Sequence, residues 1–449
     1  MYGFSLKKVA DVCGGVIIGD ISGADREPVS ISIDSRNVRS GDLFAAFRGE
    51  QTDGNEYIDA AFRNGAAACI TDRRPQEITG TIILVEDVQK SLETLAKEFR
   101  NTVSIPFVGI TGSVGKTTAK EMISSVLSQK YCVLKTDKNY NNQLGVPITL
   151  SRISREHEIA VVEMGVSKID DMDLLGDIVR PQVGVFTSIG KAHLEYLKDL
   201  DGVFTEKTKM LKYMDDDSLA VVNGDDPMLH RIRFKGSVIR CGSAPDSDFK
   251  AENIVFTSDG KTVFDIAADE KICDVVIPSF GMHYVSDALL AAAVGKRYGL
   301  SGEEIRSGIG SFKNIGGRGD LIRKNGFLII DDSYNANPES VRSAIDSMML
   351  LPGRHICILG DMLELGEDEI ELHAEIGRYA SDKGVELMYS AGPLSLHISD
   401  SFRKGGKHFE DVNELISEVS SRIRENDIIL IKASRGMHFE RIAKALGNL

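Results

Sequence analysis

The segment TGSVGKTT brings glycine, lysine and threonine together between an apolar stretch and a helical one. Phosphate groups bind where backbone N–H groups point inward, where glycines let the backbone approach, and where a helix begins. Apolar PFVGI precedes the segment and AKEM follows it, as expected for a strand, a turn and a helix. We therefore predict a nucleotide-binding loop, in which Lys116 contacts the outer phosphates and the Thr117 hydroxyl reaches Mg²⁺. The predicted ATP-binding residues of this loop are Thr111, Gly112, Ser113, Val114, Gly115, Lys116, Thr117 and Thr118.

The loop departs from the common pattern G-x-x-x-x-G-K-[ST]. Ile110 occupies the position where that pattern has its first glycine. The alternative interpretation is an ordinary glycine turn between a strand and a helix. The strand, turn and helix context, combined with GKTT, favours nucleotide binding.

Three further side chains are candidates for the same site. Glu163 ends the apolar run IAVVE, His193 follows the next apolar run, and Lys207 lies in a helical stretch beyond it. A carboxylate beside the loop can hold Mg²⁺ opposite Thr117, because Mg²⁺ prefers hard oxygen ligands. Taken singly, the histidine and the lysine could be ordinary surface residues. Their shared position after parallel strands, where α/β proteins bind ligands, favours a functional role.

Composition restricts the class of protein. The chain has 449 residues, a net charge of −14 and no basic run, which argues against a nucleic-acid partner or an anionic membrane surface. Its six cysteines are scattered, a pattern typical of reduced cytosolic thiols. The first residues lack a signal peptide, and no apolar run has the length of a membrane helix. We therefore expect a soluble, cytoplasmic protein without membrane insertion.

The alternation of apolar and helical segments predicts an α/β protein of roughly three domains. Residues 1–100 mix short strands with helices and form a small N-terminal α/β domain. Residues 101–314 alternate buried strands with helices, as in a doubly wound sheet, and include an antiparallel hairpin at 252–266. Residues 315–449 repeat the alternation and predict a Rossmann-like C-terminal domain, joined through the glycine-rich segment 314–320.

The motifs resemble those of the Mur ligases, ATP-dependent enzymes that form the amide bonds of the peptide stem of the bacterial cell-wall precursor. The loop T-G-x-x-G-K-T-T is similar to the family's own loop, so the missing glycine does not indicate a decayed motif. The resemblance extends from residue 33 to residue 440. It rests on the segments IDSRNVRSGDLFAAFRGEQTDGNEY, TGSVGKTT, NYNNQLGVPITL, VEMG, AHLE, IDDSYNANPES and IKASRGMHFE.

Within the family, DDSYNANP and ILGDMLELGE resemble the branch that adds D-alanyl-D-alanine. The implied reaction joins ATP, UDP-MurNAc-tripeptide and D-Ala-D-Ala to give ADP, phosphate and UDP-MurNAc-pentapeptide. The tripeptide carboxylate would first become an acyl phosphate, which the dipeptide amine then attacks. Two alternatives remain: a related ligase with another amino-acid acceptor, and an ATP-binding regulatory protein without turnover.

The resemblance also implies roles for individual residues. Lys116, Glu163, His193 and Lys207 would be catalytic; one Mg²⁺ would bind Thr117 and Glu163, and a second His193 and a carbamoylated Lys207. It implies an enzyme that acts as a monomer. The further residues implied are Asn142, Arg318 and Asp332 for ATP, Asn335, Asn337 and Ser434 for the acceptor, and Ser35, Arg36, Asp53 and Gly54 for the UDP-sugar. For the UDP-sugar residues, a strand and a tight turn are the alternative interpretation.

Several segments depart from the family pattern, and one of them bears on adenine binding. The family usually has H-N-x-x-N where this chain has His283, Tyr284, Val285, Ser286 and Asp287. The contacts to adenine that the family pattern implies are therefore left open.

Overall fold

The structure is a computed structural model that describes residues 1–49, 52–257, 259–314 and 316–449. Parts of three predicted segments therefore lie outside the described residues: Glu50 and Gln51 of the UDP-sugar loop, Ser258 of the hairpin, and Ile315 of the glycine-rich junction. The described chain forms three separate sheets of five, nine and six strands, which agrees with the predicted α/β class.

The N-terminal unit contains a mainly parallel sheet in the order β1-β5-β4-β3-β2, with β1 antiparallel to β5. Its strands are β1 Val16–Gly19, β2 Ile31–Ser32, β3 Leu43–Ala46, β4 Ala68–Thr71 and β5 Thr81–Leu84, and its helices are α1 Leu6–Val12, α2 Ile58–Arg63 and α3 Val88–Thr102. The strand β1, an edge strand, was not predicted. Because Leu92, Leu95 and Phe99 are buried on one face of α3, this helix packs between the N-terminal and central units. The predicted domain boundary at residue 100 falls inside α3.

The central unit is built on the order β14-β13-β12-β11-β10-β9-β6-β8-β7. Its strands are β6 Phe107–Thr111, β7 Val133–Lys135, β8 Ile159–Glu163, β9 Val183–Phe186, β10 Leu219–Asn223, β11 Ser237–Gly242, β12 Phe249–Phe256, β13 Thr262–Ala267 and β14 Ile272–Ile277. Its helices are α4 Lys116–Leu127, α5 Gly145–Ser151, α6 Asp171–Val179, α7 Leu194–Leu197, α8 Leu200–Thr208, α9 Met282–Arg297 and α10 Gly302–Gly310. The predicted parallel strands are confirmed, and so is antiparallel pairing of β12 with β13. A third antiparallel strand, β14, extends the predicted hairpin.

The register of the central strands determines where Glu163 lies relative to the glycine loop. Strand β6 lies between β8 and β9, parallel to both, with Ile110 opposite Glu163 and Thr111 opposite Phe186. All five residues of β6 and of β8 are buried, as expected for strands covered on both faces. The carboxylate of Glu163 therefore emerges at the level where the glycine loop begins.

The C-terminal unit contains a sheet in the order β15-β16-β20-β17-β18-β19, antiparallel only between β15 and β16. Its strands are β15 Asp320–Lys324, β16 Phe327–Asp331, β17 Arg354–Gly360, β18 Leu387–Ala391, β19 Lys407–Phe409 and β20 Asp427–Lys432, and its helices are α11 Pro338–Met348, α12 Glu369–Lys383, α13 Leu396–Ser401, α14 Val412–Arg422 and α15 Glu440–Gly447. Because the last strand, β20, inserts beside β16, Lys432 comes to lie next to Asp332. In the part of the chain that the structure describes, every helix falls short of the length and apolarity needed to cross a membrane.

Candidate active site

Two glycines give the loop between β6 and α4 its shape. Gly112 has a φ of +155°, and a Cβ atom there would lie 2.0 Å from the Thr187 hydroxyl oxygen, so a side chain is excluded. Gly115 precedes α4 with a φ of +88°, in the left-handed region that favours glycine. The loop is held by Ser188, whose carbonyl accepts from the Ser113 N–H at 2.9 Å and whose hydroxyl accepts from the Val114 N–H at 2.9 Å. The first N–H groups of α4 have no intrahelical acceptor and suit an anion.

Lys116 folds back over this loop. Its Nζ atom donates to the Gly112 carbonyl at 2.6 Å. Burial lowers the pKa of the ammonium, Glu163 opposes that shift, and Arg318 adds to it. Two cationic side chains, Lys116 and Arg318, thus face the same space, as binding of a polyphosphate requires.

Oxygen ligands for a cation lie beside the loop. The Thr117 hydroxyl is 3.0 Å from Oε2 of Glu163, and Asn141 donates to Oε1 of the same carboxylate at 2.8 Å. The Glu163 side chain is buried, and its backbone N–H donates to the Thr136 hydroxyl at 3.0 Å. A hydroxyl and a carboxylate fit Mg²⁺, which completes its shell with phosphate oxygens and water. Among the described residues, no three His, Cys, Asp or Glu side chains form a metal-binding group.

His193 lies on the other side of the cavity and contacts the C-terminal unit. Its Nδ1 atom is 2.7 Å from Oε2 of Glu364. The close imidazole of His193 holds the pKa of the Glu364 carboxyl below its usual value, although burial opposes this. The geometry of the pair is that of a close ion pair, because Nδ1 of His193 makes no hydrogen bond within the described residues. Glu364 was not predicted from the sequence, because nothing in the segment ILGDMLELGE indicates which strand end this residue faces.

Lys207 is buried in α8 and does not line the cavity. In the described part of the chain, no side chain or carbonyl accepts a hydrogen bond from its Nζ atom. Burial lowers its pKa well below the ordinary value, and Lys116 adds to this shift, while Glu206 and Asp171 oppose it. This shift favours the neutral amine, the form that can react with CO₂.

The C-terminal unit closes the cavity with polar groups. Lys432 Nζ lies 2.5 Å from Asp332 and donates to the Asn335 carbonyl at 2.9 Å. Burial raises the pKa of the Asp332 carboxyl, and Lys432 opposes that shift. The Arg318 guanidinium stacks on the Tyr334 ring at 3.9 Å. Together with the loop, these residues enclose a cavity of 430 Å³.

The acceptor residues have partly structural contacts. Asn337 accepts from the Ser340 N–H at 2.9 Å and caps α11. The Ser434 hydroxyl accepts from the Leu363 N–H at 2.9 Å and is buried. Among the described residues, thirteen predicted site residues line the cavity: Ser113, Val114, Gly115, Lys116, Thr117, Thr118, Asn142, Glu163, His193, Arg318, Asp332, Asn335 and Asn337. Of the other residues predicted for ATP, metal or acceptor binding, four lie outside its lining: Thr111, Gly112, Lys207 and Ser434.

The predicted UDP-sugar residues lie in the N-terminal unit, away from the cavity. Arg36 is exposed and forms two hydrogen bonds of 2.9 Å with Asp34. Asp53 accepts from the Asn55 N–H at 3.1 Å, and a Cβ atom at Gly54 would lie 2.7 Å from the Phe47 carbonyl. Ser35 is buried. These contacts belong to turns, so the UDP-sugar role of the four residues stays a prediction.

Several cavity residues were not predicted from the sequence. Asn141 adjoins the predicted Asn142, yet Asn141 is the one that contacts Glu163, whereas the Asn142 side chain accepts from the Gly145 N–H at 2.9 Å. Lys432 is the last residue of β20 and Arg435 follows the strand; both lie in the motif IKASR, from which they could have been predicted.

Two buried ionisable groups lie next to the loop. Burial lowers the pKa of His283 to about 4. Burial also raises the pKa of the Asp287 carboxyl well above its usual range. The Asp287 atom Oδ2 has no hydrogen-bond partner among the described residues, and Oδ1 would lie 3.3 Å from a Cβ atom at Gly115.

Comparison with known proteins adds evidence of ancestry. The Mur ligase family, catalytic domain matches residues 29–100, the Mur ligase middle domain matches 110–295, and the Mur ligase, glutamate ligase domain matches 317–435. The chain is 34% identical to UDP-N-acetylmuramoyl-tripeptide–D-alanyl-D-alanine ligase of Bacillus subtilis, over 93% of this chain and 92% of that protein. It is 33% identical to the Escherichia coli enzyme of the same name, over 99% of each chain.

Solved structures agree in fold over the same length. MurF from Acinetobacter baumannii superposes with a TM-score of 0.88 at 28% identity, covering 99% of each chain. MurF ligase from Thermotoga maritima in complex with ADP superposes with a TM-score of 0.83 at 29% identity, covering 93% of this chain and 97% of that one.

Proposed function

This chain belongs to the Mur ligase family, and from that premise we propose that it adds D-alanyl-D-alanine to UDP-N-acetylmuramoyl-tripeptide with ATP as the energy source. The observation that carries the proposal is the single cavity that brings Lys116 and Thr117 of the loop to Asp332 and Asn335 of the C-terminal unit. A ligase of this kind must hold a phosphate donor, a carboxylate and an amine within reach of one another.

The first half-reaction joins two anions. The terminal carboxylate of the tripeptide attacks the γ-phosphorus, the bond to the β-phosphate oxygen breaks, and ADP leaves. Lys116 and Arg318 stabilise the charge that collects on the transferred phosphoryl group. Thr117 and Glu163 would hold one Mg²⁺, and His193 with a carbamoylated Lys207 a second, and both ions would supply further charge neutralisation.

In the second half-reaction the amine of D-Ala-D-Ala attacks the acyl carbon. Phosphate leaves, and the amine loses a proton as the amide forms. Asn335 and Asn337 line the cavity on the loop after β16, which supports a role for them in orienting the dipeptide. Asp332 lines the same cavity, paired with Lys432, and would bind the nucleotide ribose.

The substrates also suggest the cellular compartment of the reaction. ATP and a UDP-linked sugar peptide are cytoplasmic metabolites, so we place the reaction in the cytoplasm. The six cysteines are all free thiols, in keeping with a reducing compartment. One chain supplies both walls of the cavity, which supports action as a monomer.

Mass spectrometry of the reaction product tests the proposal. Purified protein is incubated with Mg-ATP, D-Ala-D-Ala and UDP-MurNAc-tripeptide, with diaminopimelate or lysine as the third residue in separate reactions. We expect a UDP-MurNAc-pentapeptide that forms only when all three substrates are present. A product with another amine but not with D-Ala-D-Ala would identify a different ligase. Absence of any ATP-dependent product would favour a regulatory protein.

A further inference from the structure

Tyr284 lies where the central unit meets the segment that leads into the C-terminal unit. It is the third residue of α9 and is 2% exposed. Its ring packs against Phe312, with the ring centroids 6.0 Å apart, in the core of the central unit. Its phenol oxygen adjoins the segment 316–320, where a Cβ atom at Gly319 would lie 2.9 Å from it. A side chain anchored in the central unit therefore reaches the junction between the two units.

The phenol hydroxyl of Tyr284 makes two hydrogen bonds at this junction. It donates to the backbone carbonyl of Arg318 at 2.7 Å. It accepts from the side-chain amide of Asn314 at 2.8 Å, and the same amide nitrogen also donates to the Arg318 carbonyl. Because the phenol ring is held in the core, these bonds fix the Arg318 carbonyl relative to the central unit.

The other side of the same segment is held by the C-terminal unit. The Gly319 N–H donates to the Asp331 carbonyl at 2.8 Å, and the Tyr334 N–H donates to the Gly317 carbonyl at 2.9 Å. The Tyr334 ring also lies 3.9 Å from the Arg318 guanidinium, which stacks on it. The position of Arg318 consequently depends on contacts with both units.

The Arg318 guanidinium is available to an anion. It lines the cavity together with Lys116, and its buried Nε atom has no hydrogen-bond partner among the described residues. A buried donor without a partner is costly, so an oxygen of a bound phosphate would satisfy it. Arginine recognises phosphate through a planar fork of N–H groups, and this geometry works only if the guanidinium is held in the right orientation.

We propose that Tyr284 is a positioning residue whose hydroxyl holds the Arg318 backbone so that the guanidinium faces the outermost phosphate of a bound nucleoside triphosphate. The proposal rests on the proposed function, in which Arg318 stabilises the transferred phosphoryl group. The pattern H-N-x-x-N has asparagine where this chain has Tyr284, so the contact is a feature of this chain and not of that pattern.

Two substitutions remove the contact, and both leave the guanidinium in place. Tyr284→Phe removes only the hydroxyl and keeps the ring in the core. Asn314→Ala removes the amide that bonds to both the hydroxyl and the carbonyl, at a half-buried position, and provides the test if Tyr284→Phe is unstable. Thermal melting verifies the fold of each variant.

Two further variants and a control complete the set. Arg318→Ala removes the guanidinium, and the double variant combines Tyr284→Phe with Arg318→Ala. Tyr298→Phe is the matched control, because the Tyr298 hydroxyl, just after α9, is buried without a hydrogen-bond partner among the described residues.

Each protein is measured in two ways. Calorimetry with Mg²⁺ gives the affinity for the imido analogue of ATP and for ADP, and mass spectrometry gives the rate of pentapeptide formation. We expect Tyr284→Phe to bind the ATP analogue about 10-fold more weakly, with unchanged ADP affinity, and to form pentapeptide about 10-fold more slowly. A purely structural role of the hydroxyl would lower the melting temperature without weakening the analogue relative to ADP. Asn314→Ala should behave as Tyr284→Phe does, and Tyr298→Phe as the wild type.

The double variant tests whether the hydroxyl acts through the guanidinium. Arg318→Ala should lose more analogue affinity and more rate than Tyr284→Phe. The double variant should match Arg318→Ala, because the hydroxyl then has no guanidinium to position. Additive losses in the double variant would overturn the proposal.

Two other results would also overturn it: wild-type analogue affinity and rate in Tyr284→Phe, or equal losses of analogue and ADP affinity, which would indicate a general disturbance of the nucleotide pocket. The proposed function is decided separately, by pentapeptide formation in the wild type. A wild type that makes no pentapeptide while the variants show the expected affinities would refute the proposed function and support the role of Tyr284.

Discussion

The Thr117 hydroxyl lies 3.0 Å from the Glu163 carboxylate, although 46 residues separate them in the chain. The contact arises because β6 and β8 are parallel neighbours, so the start of α4 and the end of β8 reach the same edge of the sheet. Both groups are hard oxygen ligands, and both line the cavity together with the phosphate loop. This pair is where we expect the cation that accompanies ATP.

Replacement of Glu163 by glutamine tests whether the negative charge of this side chain, and not its volume, is needed for activity. Glu163→Gln keeps the side-chain volume and one oxygen but removes the negative charge. We expect turnover to fall by about 100-fold or more, and the Mg²⁺ concentration for half-maximal rate to rise. Steady-state kinetics over a Mg²⁺ titration measures both. Glu156→Gln, an exposed carboxylate beyond the cation site, should behave as wild type; equal kinetics in both variants would remove Glu163 from the site.

Lys116 is the cation closest to the loop backbone, and no other described lysine lines the loop side of the cavity. Lys116→Ala should leave the fold intact and reduce product formation by at least about 100-fold, because its charge acts on the transferred phosphoryl group. Circular dichroism checks the fold and product mass spectrometry the activity. Lys90→Ala, at an exposed position on α3, is the control. Wild-type rates in Lys116→Ala would contradict the ATP site.

The buried Asp287 carboxyl gives a prediction about pH. Burial raises the pKa of this carboxyl in the folded state. The folded protein therefore keeps a proton that the unfolded chain loses once the pH exceeds the lower pKa of the unfolded state. The free energy of unfolding therefore decreases as the pH rises between those two pKa values. Asp287→Asn, which is neutral at every pH, should raise the melting temperature more at pH 8 than at pH 5. Each 1 kcal/mol gained corresponds to roughly 2–4 °C.

The control for this prediction is Asp269→Asn, since Asp269 is exposed in the turn between β13 and β14. Its melting temperature should follow the wild type at both pH values. If Asp287→Asn gave the same change in melting temperature at pH 5 and pH 8, the buried carboxyl would not be the cause.

The sequence was most informative where local patterns decide structure. Continuous apolar runs predicted the buried parallel strands, and the loop motif and the strand ends placed Lys116 and Glu163 at the edge where ligands bind. Both side chains line the cavity as predicted. Their roles in binding and catalysis stay predictions until the variants are measured.

Contacts between segments that are far apart in the chain could not be predicted from the sequence. Glu364 and His193 meet because two loops from different sheets are apposed, and no periodicity in either loop encodes that meeting. Lys432 reaches Asp332 because β20 inserts between β16 and β17, an order that the sequence of strands does not reveal. The edge strands β1 and β14 are partly exposed, so their apolar pattern was too weak to predict them.

Closure of the C-terminal unit onto the central unit should accompany catalysis. The phosphate loop and Asp332 belong to different units, and the glycine-rich segment 314–320 connects them. Gly317 and Gly319 in that segment have φ values of +76° and +80°, which suits a hinge. Small-angle scattering should show a smaller radius of gyration with a non-hydrolysable ATP analogue and the tripeptide than without ligands. An unchanged radius would argue against closure.

The last prediction concerns the carbamate on Lys207. Burial lowers the pKa of this amine and so favours the neutral form, which can capture CO₂ and become an anionic oxygen ligand for a cation. Lys207→Ala should be nearly inactive, and a small carboxylate such as acetate should restore part of the activity by supplying the missing oxygens. Lys207→Arg keeps a positive charge, so acetate should not restore it.

Acetate should leave the wild type and Lys116→Ala unchanged, which distinguishes chemical rescue from a general salt effect. Activity of the wild type should also fall when CO₂ and bicarbonate are removed from the buffer and return when bicarbonate is added. Full activity of Lys207→Arg would show that the residue acts as a simple cation or has no part in the reaction. The carbamate assignment would then be wrong, and the second cation would need a ligand other than Lys207.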